Sequence, residues 1–209
     1  VWIRNIQVYP DQIMVTVGNQ TGLSKDAIIQ SVKCTIPAGG GTVVIPFAEK
    51  EQTWDEFSPV MHNLTVTLKA GRFIDQQAVS YAIRKIGIQN RQFTLNGKPV
   101  LFRGPVDECI YPLTGYPPMD KASWIHVLNI CKSYGFNFMR FHSWCPPEAA
   151  FEAGDELGFC FQIELPLWTM DAPHFGQDPE RDEFIRNELN RILDSYGNHP
   201  SFALMAMGN

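Results

Sequence analysis

The sequence has no cluster of lysine and arginine residues, and its 17 basic side chains are outnumbered by 22 acidic ones, for a net charge of −5. Nucleic-acid-binding domains usually carry a basic patch, so this composition argues against a nucleic-acid partner. Apolar runs of the roughly 20 residues that cross a bilayer are also missing, which argues against a membrane partner. The 209 residues, 44% of them hydrophobic and 19% charged, are typical of one or two globular domains.

The sequence also lacks the paired cysteines of a metal site or a disulfide framework. Its cysteines are five, an odd number, and no two of them have the C-x-x-C spacing: Cys34, Cys109, Cys131, Cys145 and Cys160. A disulfide framework and a structural zinc site are therefore not expected, and we interpret these residues as buried free thiols. We predict neither a metal ion nor another cofactor.

Neither an initiator methionine nor a leader peptide opens the sequence, so its start carries no information on the compartment. At the other end, residues 207–209 close an apolar run without a following helix or tail. We interpret the chain as part of a longer protein.

Residues 1–88 are predicted to form a β domain. Short runs rich in β-branched and aromatic residues are separated by turn signals such as Pro10-Asp11 and the glycines at 39–41. The runs cover residues 2–9, 13–17, 28–36, 42–47, 63–68 and 77–83. About six or seven short strands in such a length are typical of an immunoglobulin-like sandwich, which usually serves as a binding or spacer module.

Residues 89–209 alternate apolar runs with segments of helical periodicity. Asn96-Gly97 is a two-residue hairpin signal that leads into the first run. The runs lie at 99–102, 135–141, 159–163 and 202–207, and the helical segments open near Asp120, Pro146 and Asp178. This alternation, with strands that are apolar almost throughout, predicts parallel strands buried on both faces.

Two folds have this alternation, a (β/α)8 barrel and a doubly wound open sheet. The open sheet of a nucleotide-binding enzyme requires a glycine-rich phosphate loop after its first strand, whereas the sequence has RGPV at residues 103–106. We therefore predict the first half of a barrel, in which catalytic groups lie at the carboxyl ends of the strands.

Polar side chains stand where the predicted strands end. Arg140 and His142 are two residues apart on one strand and point to the same side. Arg140 can hold a carboxylate as a substrate-site residue or in a structural salt bridge, and His142 can bind a hydroxyl or be a satisfied core histidine. Glu164 ends an apolar strand, where a carboxylate needs donors or a cation, for function or for structure.

Three further candidates follow strands. Glu108, next to Asp107, either lines the cleft or is a solvated loop acid. Trp144, like Tyr111 and Trp168, offers an aromatic face that can stack on a sugar ring or pack on the rim. Asn209 ends the fourth strand, where its amide can donate to a substrate hydroxyl.

Taken together, these motifs resemble glycoside hydrolase family 2, the family of β-galactosidases, β-glucuronidases and β-mannosidases. Residues 54–59, WDEFSP, and 62–66, HNLTV, are similar to the end of the family's sandwich. Residues 93–104, FTLNGKPVLFRG, are similar to its barrel entry. NHPS at 198–201 followed by MGN at 207–209 resembles the family's most specific signature.

The resemblance implies a retaining, exo-acting β-glycosidase of β-galactosidase type, acting on carbohydrate with two carboxylates. The general acid/base would directly follow Asn209 and the nucleophile would lie further on, so no catalytic carboxylate is expected within the chain, and the chain alone should be inactive. Asn209 would bind the sugar 2-hydroxyl, Arg140 would orient the nucleophile, and Glu164 matches an acidic position. A periplasmic or extracellular bacterial location follows only by analogy.

The sequence departs from the family at two places. Asp107-Glu108-Cys109 stands where many members have His-Glu, and FHSWCP at 141–146 replaces Ser-His-Tyr-Pro, which displaces His142 by one position. The sugar preference therefore stays open. So does an alternative, a non-catalytic carbohydrate-binding or scaffold protein on a decayed barrel. Open strand edges in a half barrel also suggest a homo-oligomer.

Overall fold

The computed structural model describes residues 1–47, 52–168 and 175–209. These residues divide into two compact units. The first consists of Val1–Gln52 and His62–Ile83, and the second of Thr53–Met61 and Arg84–Asn209. Within the described ranges, no helix is long and apolar enough to cross a membrane.

The first unit contains two antiparallel sheets. One has the strand order β1-β2-β5 and the other β4-β3-β6-β7. The strands are β1 Trp2–Val8, β2 Gln12–Gly18, β3 Lys25–Ile29, β4 Val32–Ile36, β5 Gly41–Pro46, β6 His62–Ala70 and β7 Phe73–Tyr81. Alternate side chains from both sheets, such as Val15 and Val66, form one buried cluster, because successive residues of a strand point to opposite faces.

Residues 28–36 do not form the single strand that was predicted. They contribute to a hairpin of β3 and β4, in which Ile29 pairs with Val32. The turn contains Gln30 with a φ of 54°, a left-handed conformation that is uncommon outside glycine. The turn shifts the inward-facing positions from Ala27 and Ile29 to Val32, Cys34 and Ile36. The exposed Ile28 hides this shift, because it continues the alternation of the later residues, so the pattern alone does not reveal the turn.

The second unit contains an antiparallel sheet and a parallel sheet. The antiparallel strands lie in the order β10-β9-β8, and the parallel strands in the order β11-β12-β13-β14 with one helix between each successive pair. The strands are β8 Ile86–Gln89, β9 Gln92–Leu95, β10 Lys98–Pro99, β11 Val106–Asp107, β12 Phe138–Phe141, β13 Cys160–Glu164 and β14 Phe202–Ala206. The helices are α1 Lys121–Ser133, α2 Glu148–Leu157 and α3 Pro179–Tyr196. The chain is therefore a mixed β and α/β protein, and the predicted parallel pairing is confirmed.

The first parallel strand lies later than predicted. Residues 99–102 were expected to form it, but the strand is Val106–Asp107, preceded by an irregular stretch beside β12. Gly104 passes so close to β12 that a Cβ there would lie 1.5 Å from the Phe138 carbonyl oxygen. Pro105 has no N–H to donate, which interrupts a regular ladder. Because the strand begins later in the sequence, Asp107 is its last residue.

Residues 53–61, which the resemblance assigned to the sandwich, pack within the second unit. Trp54 is fully buried there, and its indole N–H donates to the backbone oxygen of Asp155 at 2.8 Å. The Asn96 side chain donates to the Trp54 carbonyl at 3.0 Å. This segment is therefore part of the packing of the second unit.

All five cysteines are free, as predicted, but their burial varies. Cys160 is buried, whereas Cys109 is exposed, so the expectation of uniformly buried thiols is wrong. Burial raises the pKa of Cys145 and of Cys160 to about 12, which keeps both thiols protonated at neutral pH.

Helix α3 offers a test of local stability at its amino terminus. The Asp178 carboxylate accepts from the Arg181 N–H at 3.2 Å, and Pro179 occupies the first turn. Asp178→Ala should destabilise the helix by about 1 kcal/mol, whereas Asp178→Asn, which keeps a capping oxygen, should cost much less. Amide hydrogen exchange at Arg181 measures the difference, and equal exchange in the two variants would contradict the capping role.

Candidate active site

The carboxyl ends of β12, β13 and β14 bring three of the predicted site residues into direct contact. Arg140 Nε donates to Glu164 Oε1 at 2.6 Å, and Arg140 Nη2 donates to Glu164 Oε2 at 3.2 Å. The same Nη2 donates to Asn209 Oδ1 at 3.0 Å. Arg140 therefore joins the ends of all three strands. Parallel pairing explains the meeting, because the carboxyl ends of parallel strands lie at one edge of the sheet.

Glu164 is the most enclosed member of this group, with 1% of its surface exposed. Besides Arg140, it accepts from the Ser143 backbone N–H at 2.9 Å and from Gln162 Nε2 at 2.9 Å. Burial raises the pKa of a carboxyl, but these hydrogen bonds and the Arg140 charge outweigh burial and hold the Glu164 pKa below its usual value. Glu164 is therefore ionised at neutral pH.

Arg140 is stabilised as a cation by the same contacts. The hydrogen bond and charge of Glu164 raise the pKa of Arg140, and the negative charge of Glu108 adds to the rise. Glu108 itself is exposed on the segment after β11. The pair has the bidentate geometry in which a guanidinium and a carboxylate bind most specifically.

Ser143 supplies one donor through an uncommon backbone conformation. Its φ is 59°, in the left-handed region that non-glycine residues seldom adopt. This conformation turns the Ser143 N–H towards Glu164, while the Ser143 hydroxyl lies 3.5 Å from the Leu167 oxygen. Backbone strain of this kind concentrates at functional sites.

The orientation of the Asn209 amide follows from its neighbour. A guanidinium only donates hydrogen bonds, so the atom facing Arg140 must be the amide oxygen. The Asn209 amide nitrogen, a donor, is consequently turned to the other side. The backbone is held as well, since the Asn209 N–H donates to the Leu167 oxygen at 3.0 Å. Gly208 is required beside it, because a Cβ there would lie 2.1 Å from that oxygen.

His142 and Trp168 form a second contact at the same strand ends. Their ring centroids are 5.1 Å apart with an angle of 66° between the planes. The backbone N–H of His142 donates to the Asp107 oxygen at 2.9 Å, so this residue continues the pairing of β12 with β11. Trp168 is 57% exposed.

Trp144 is more enclosed than Trp168. Its indole N–H donates to the Asp107 backbone oxygen at 3.0 Å, and its ring packs edge-on against Phe141 at 5.2 Å and Tyr111 at 6.5 Å. The Tyr111 hydroxyl donates to Asp107 Oδ2 at 2.9 Å, and burial together with this carboxylate raises the pKa of Tyr111. These contacts favour the packing interpretation of Trp144.

A separate polar cluster lies at the amino-terminal side of β14. Asp155, on α2 and 4% exposed, accepts from the Ser201 N–H at 3.0 Å and from the Ser201 hydroxyl at 2.6 Å, while His199 Nδ1 lies 2.6 Å from its other oxygen. The residue types are those of a hydrolase triad, but the serine and the histidine both bind the carboxyl, and Ser201 is fully buried. The cluster therefore joins α2 to the segment before β14.

Sequence reasoning missed several residues that build the site. Gln162 and Ser143 were not candidates, nor was Asp155 of the separate cluster, and Trp168 was considered only as an aromatic after a strand. Gln162 lies two positions before Glu164 and thus on the same side of β13, a spacing that identifies it once Glu164 is suspected. In the described ranges, no three His, Cys, Asp or Glu side chains converge as a metal-ligand group.

No protein-family model matches the chain. Over 173 residues, covering 80% of the chain, it is 26% identical to a β-galactosidase 2 from Enterobacter cloacae. The chain spans only 17% of that relative's length.

Solved structures share the fold. A GH2 β-galacturonidase from Eisenbergiella tayi matches 100% of the chain with a TM-score of 0.79 at 16% identity, over 40% of its own chain. A β-glucuronidase 2 from Bacteroides uniformis, covalently bound to cyclophellitol-6-carboxylate aziridine, matches 99% with a TM-score of 0.71 at 21% identity, over 27% of its own chain.

Proposed function

We propose that the chain belongs to glycoside hydrolase family 2 and that the protein containing it is a retaining β-glycosidase that removes terminal β-linked sugars. The observation that carries this proposal is the network of Glu164, Arg140 and Asn209 at the carboxyl ends of three parallel strands. Active sites of (β/α)8 enzymes lie at that edge. A charged pair that fixes the direction of an amide there is suited to binding a sugar hydroxyl.

Each residue of the network has a distinct role in this proposal. Asn209 donates from its amide nitrogen to the sugar 2-hydroxyl. Arg140 fixes that amide and presents positive charge to the nucleophilic carboxylate, and buried Glu164 keeps the guanidinium in place. The acid/base carboxylate and the nucleophile, about 5–5.5 Å apart in retaining enzymes, are supplied by the longer protein. We propose that the 209-residue chain alone is inactive for this reason.

The finer architecture is part of the proposal. The sheets β1-β2-β5 and β4-β3-β6-β7 support an immunoglobulin-like sandwich with seven strands in two layers. We propose it for residues 1–88, of which residues 53–61 and 84–88 pack within the second unit. In constant-type domains the fourth strand joins the sheet of the first, second and fifth, whereas here β4 pairs with β3. The parallel sheet supports assignment of residues 89–209 to the first half of a (β/α)8 barrel.

The substrate of the longer protein is proposed to be a β-galactoside, because the sequence relative is named a β-galactosidase. The two fold neighbours are named for uronic acids, so a β-glucuronide is the competing substrate to compare. A carbohydrate partner, no nucleic-acid or membrane partner, association into a homo-oligomer and a location outside the bacterial cytoplasm complete the proposal.

Hydrolysis by the full-length protein tests the function. We expect release of nitrophenol from nitrophenyl β-galactoside and much less from the β-glucuronide, β-mannoside and β-glucoside, with no release by the 209-residue chain. Retention of the β-anomer, followed by proton NMR of the first product, tests the mechanism. Sugar binding without hydrolysis of any of the four would favour the alternative, a non-catalytic carbohydrate-binding protein.

A further inference from the structure

Trp168 is a large aromatic side chain left open at the edge of the sheet that carries the site. The residue lies four positions after Glu164, and 57% of its surface is exposed. Its ring is contacted by His142, in an edge-to-face arrangement with the centroids 5.1 Å apart. Trp144, by comparison, has its N–H bound to a backbone oxygen and its ring packed between Phe141 and Tyr111.

Backbone contacts bring Trp168 close to Asn209. The residue before the tryptophan, Leu167, accepts a hydrogen bond from the Asn209 N–H through its carbonyl oxygen at 3.0 Å. The Ser143 hydroxyl lies 3.5 Å from the same oxygen, and Gly208 approaches it too closely for a side chain. The backbones of Trp168 and Asn209 are thus held close together, and the two side chains offer an apolar face and a hydrogen-bond donor.

We propose that Trp168 is a stacking platform for the sugar ring whose hydroxyl binds Asn209. A pyranose has the matching chemistry, because its axial C–H groups form an apolar face while its hydroxyls point outwards around the rim. Stacking covers apolar surface of both partners, and the His142 contact restricts the indole to few orientations before the sugar arrives. This inference rests on the proposed function and adds the residue that holds the ring.

The position of Trp168 also indicates whether it stacks on the terminal sugar or on the leaving group. Because the Asn209 backbone is bonded to the residue before Trp168, we infer that a single ring contacts both side chains, and in the proposed function Asn209 binds the terminal sugar. The ligand of the platform is therefore the terminal monosaccharide and not the leaving group. The affinity for the free monosaccharide should therefore depend on Trp168 as strongly as the affinity for the complete glycoside does.

Kinetics and direct binding on the full-length protein test this inference with Trp168→Ala and Trp168→Phe. The substrate is nitrophenyl β-galactoside, or whichever of the four nitrophenyl glycosides the wild type hydrolyses, and the second probe is the free monosaccharide, titrated by calorimetry. In Trp168→Ala we expect KM and the monosaccharide Kd to rise about tenfold and kcat to change much less, while Trp168→Phe keeps most of the affinity. Phe57→Ala is the control, because that phenyl ring is 88% exposed and belongs to the segment 53–61 of the same unit.

The outcomes separate the two proposals. A monosaccharide Kd that is unchanged in Trp168→Ala overturns the platform, and a raised KM with unchanged monosaccharide Kd would mean that Trp168 contacts the leaving group instead. Equal losses in Trp168→Ala and Phe57→Ala would indicate a general loss of folding and would also overturn the platform. If the wild type hydrolyses no glycoside, the proposed function fails, and calorimetry with D-galactose, D-glucose, D-mannose and D-glucuronate decides the platform alone.

Discussion

Replacing Glu164 by glutamine should lower kcat/KM of the full-length protein by about 10²–10³-fold, the loss seen when one preorganised donor of an active site is displaced. The substitution barely changes the size of the side chain. It does change what the side chain can accept. We expect the loss to appear chiefly in kcat, because the charge presented to the reaction is disturbed more than the space that the sugar occupies.

The reason lies in the four donors that surround this carboxylate. Oε1 accepts from Arg140 Nε and from Gln162, and Oε2 accepts from Arg140 Nη2 and from the Ser143 N–H. A glutamine must place its NH2 group at one of these two positions, where it faces two donors and no acceptor. Arg140 then loses its bidentate partner, and Asn209 loses the group that fixes its amide.

Helix α3 provides a matched control. Glu188 also holds an arginine with both oxygens, from Arg191 Nε at 2.9 Å and Nη2 at 2.6 Å, but Arg191 is largely exposed. A pair with one solvated partner and no contact to the Arg140 network contributes little to that network. Glu188→Gln should leave kcat/KM unchanged, and similar losses in the two variants would contradict the special role of Glu164.

The pH dependence of stability gives the sign of the Glu164 contribution. Its pKa is lowered in the folded state, so the carboxylate stabilises the fold above the unfolded-state pKa of about 4.3, and this stabilisation is lost as the pH falls through the lower folded-state value. In Glu164→Gln this part of the acid dependence should disappear. Because the folded-state pKa of Glu164 lies below its usual value, this carboxylate stays ionised between about pH 5 and pH 6. A loss of activity in that range would therefore come from other groups.

The sequence predicts the parallel sheet of the second unit well, but not the exact bounds of its strands. Nearly continuous apolar strands separated by amphipathic helices allow few arrangements other than a parallel sheet, and that arrangement necessarily brings Arg140, Glu164 and Asn209 to one edge. Their meeting follows from topology. The functional roles of these residues stay predictions until the variants are measured.

Other features depend on tertiary contacts that a pattern does not contain. The position of β11 is decided by the close passage of Gly104 beside Phe138, not by the apolar run that precedes it. The Ser143 donor depends on a left-handed backbone conformation of a residue whose side chain gives no sign of it. The hairpin at Gln30 is concealed because the exposed Ile28 continues the apolar alternation of β4. In each case a local geometry overrides the preference of the sequence.

The Asp155 cluster leads to the largest expected effect on stability. Asp155→Ala removes the acceptor for the Ser201 N–H and hydroxyl and the partner of His199 Nδ1, all at a position that is 4% exposed. Each buried donor that loses its acceptor costs about 1–3 kcal/mol, and Asp155→Ala affects more than one donor. Thermal unfolding should show this loss as a lower unfolding temperature, because α2 and the segment before β14 lose the contacts that join them.

Asp155→Asn distinguishes the hydrogen bonds from the charge. An asparagine oxygen can still accept from the backbone and hydroxyl of Ser201, and its amide can donate to His199 Nδ1 if the imidazole carries its proton on the other nitrogen. The variant should therefore lose only about 1 kcal/mol, as expected for a change in one buried hydrogen bond. Hydrogen exchange at the Ser201 amide should stay slow in Asp155→Asn and become fast in Asp155→Ala. Equal exchange and equal unfolding temperatures in the two variants would show that the carboxylate charge, and not the acceptor geometry, holds this end of the sheet together.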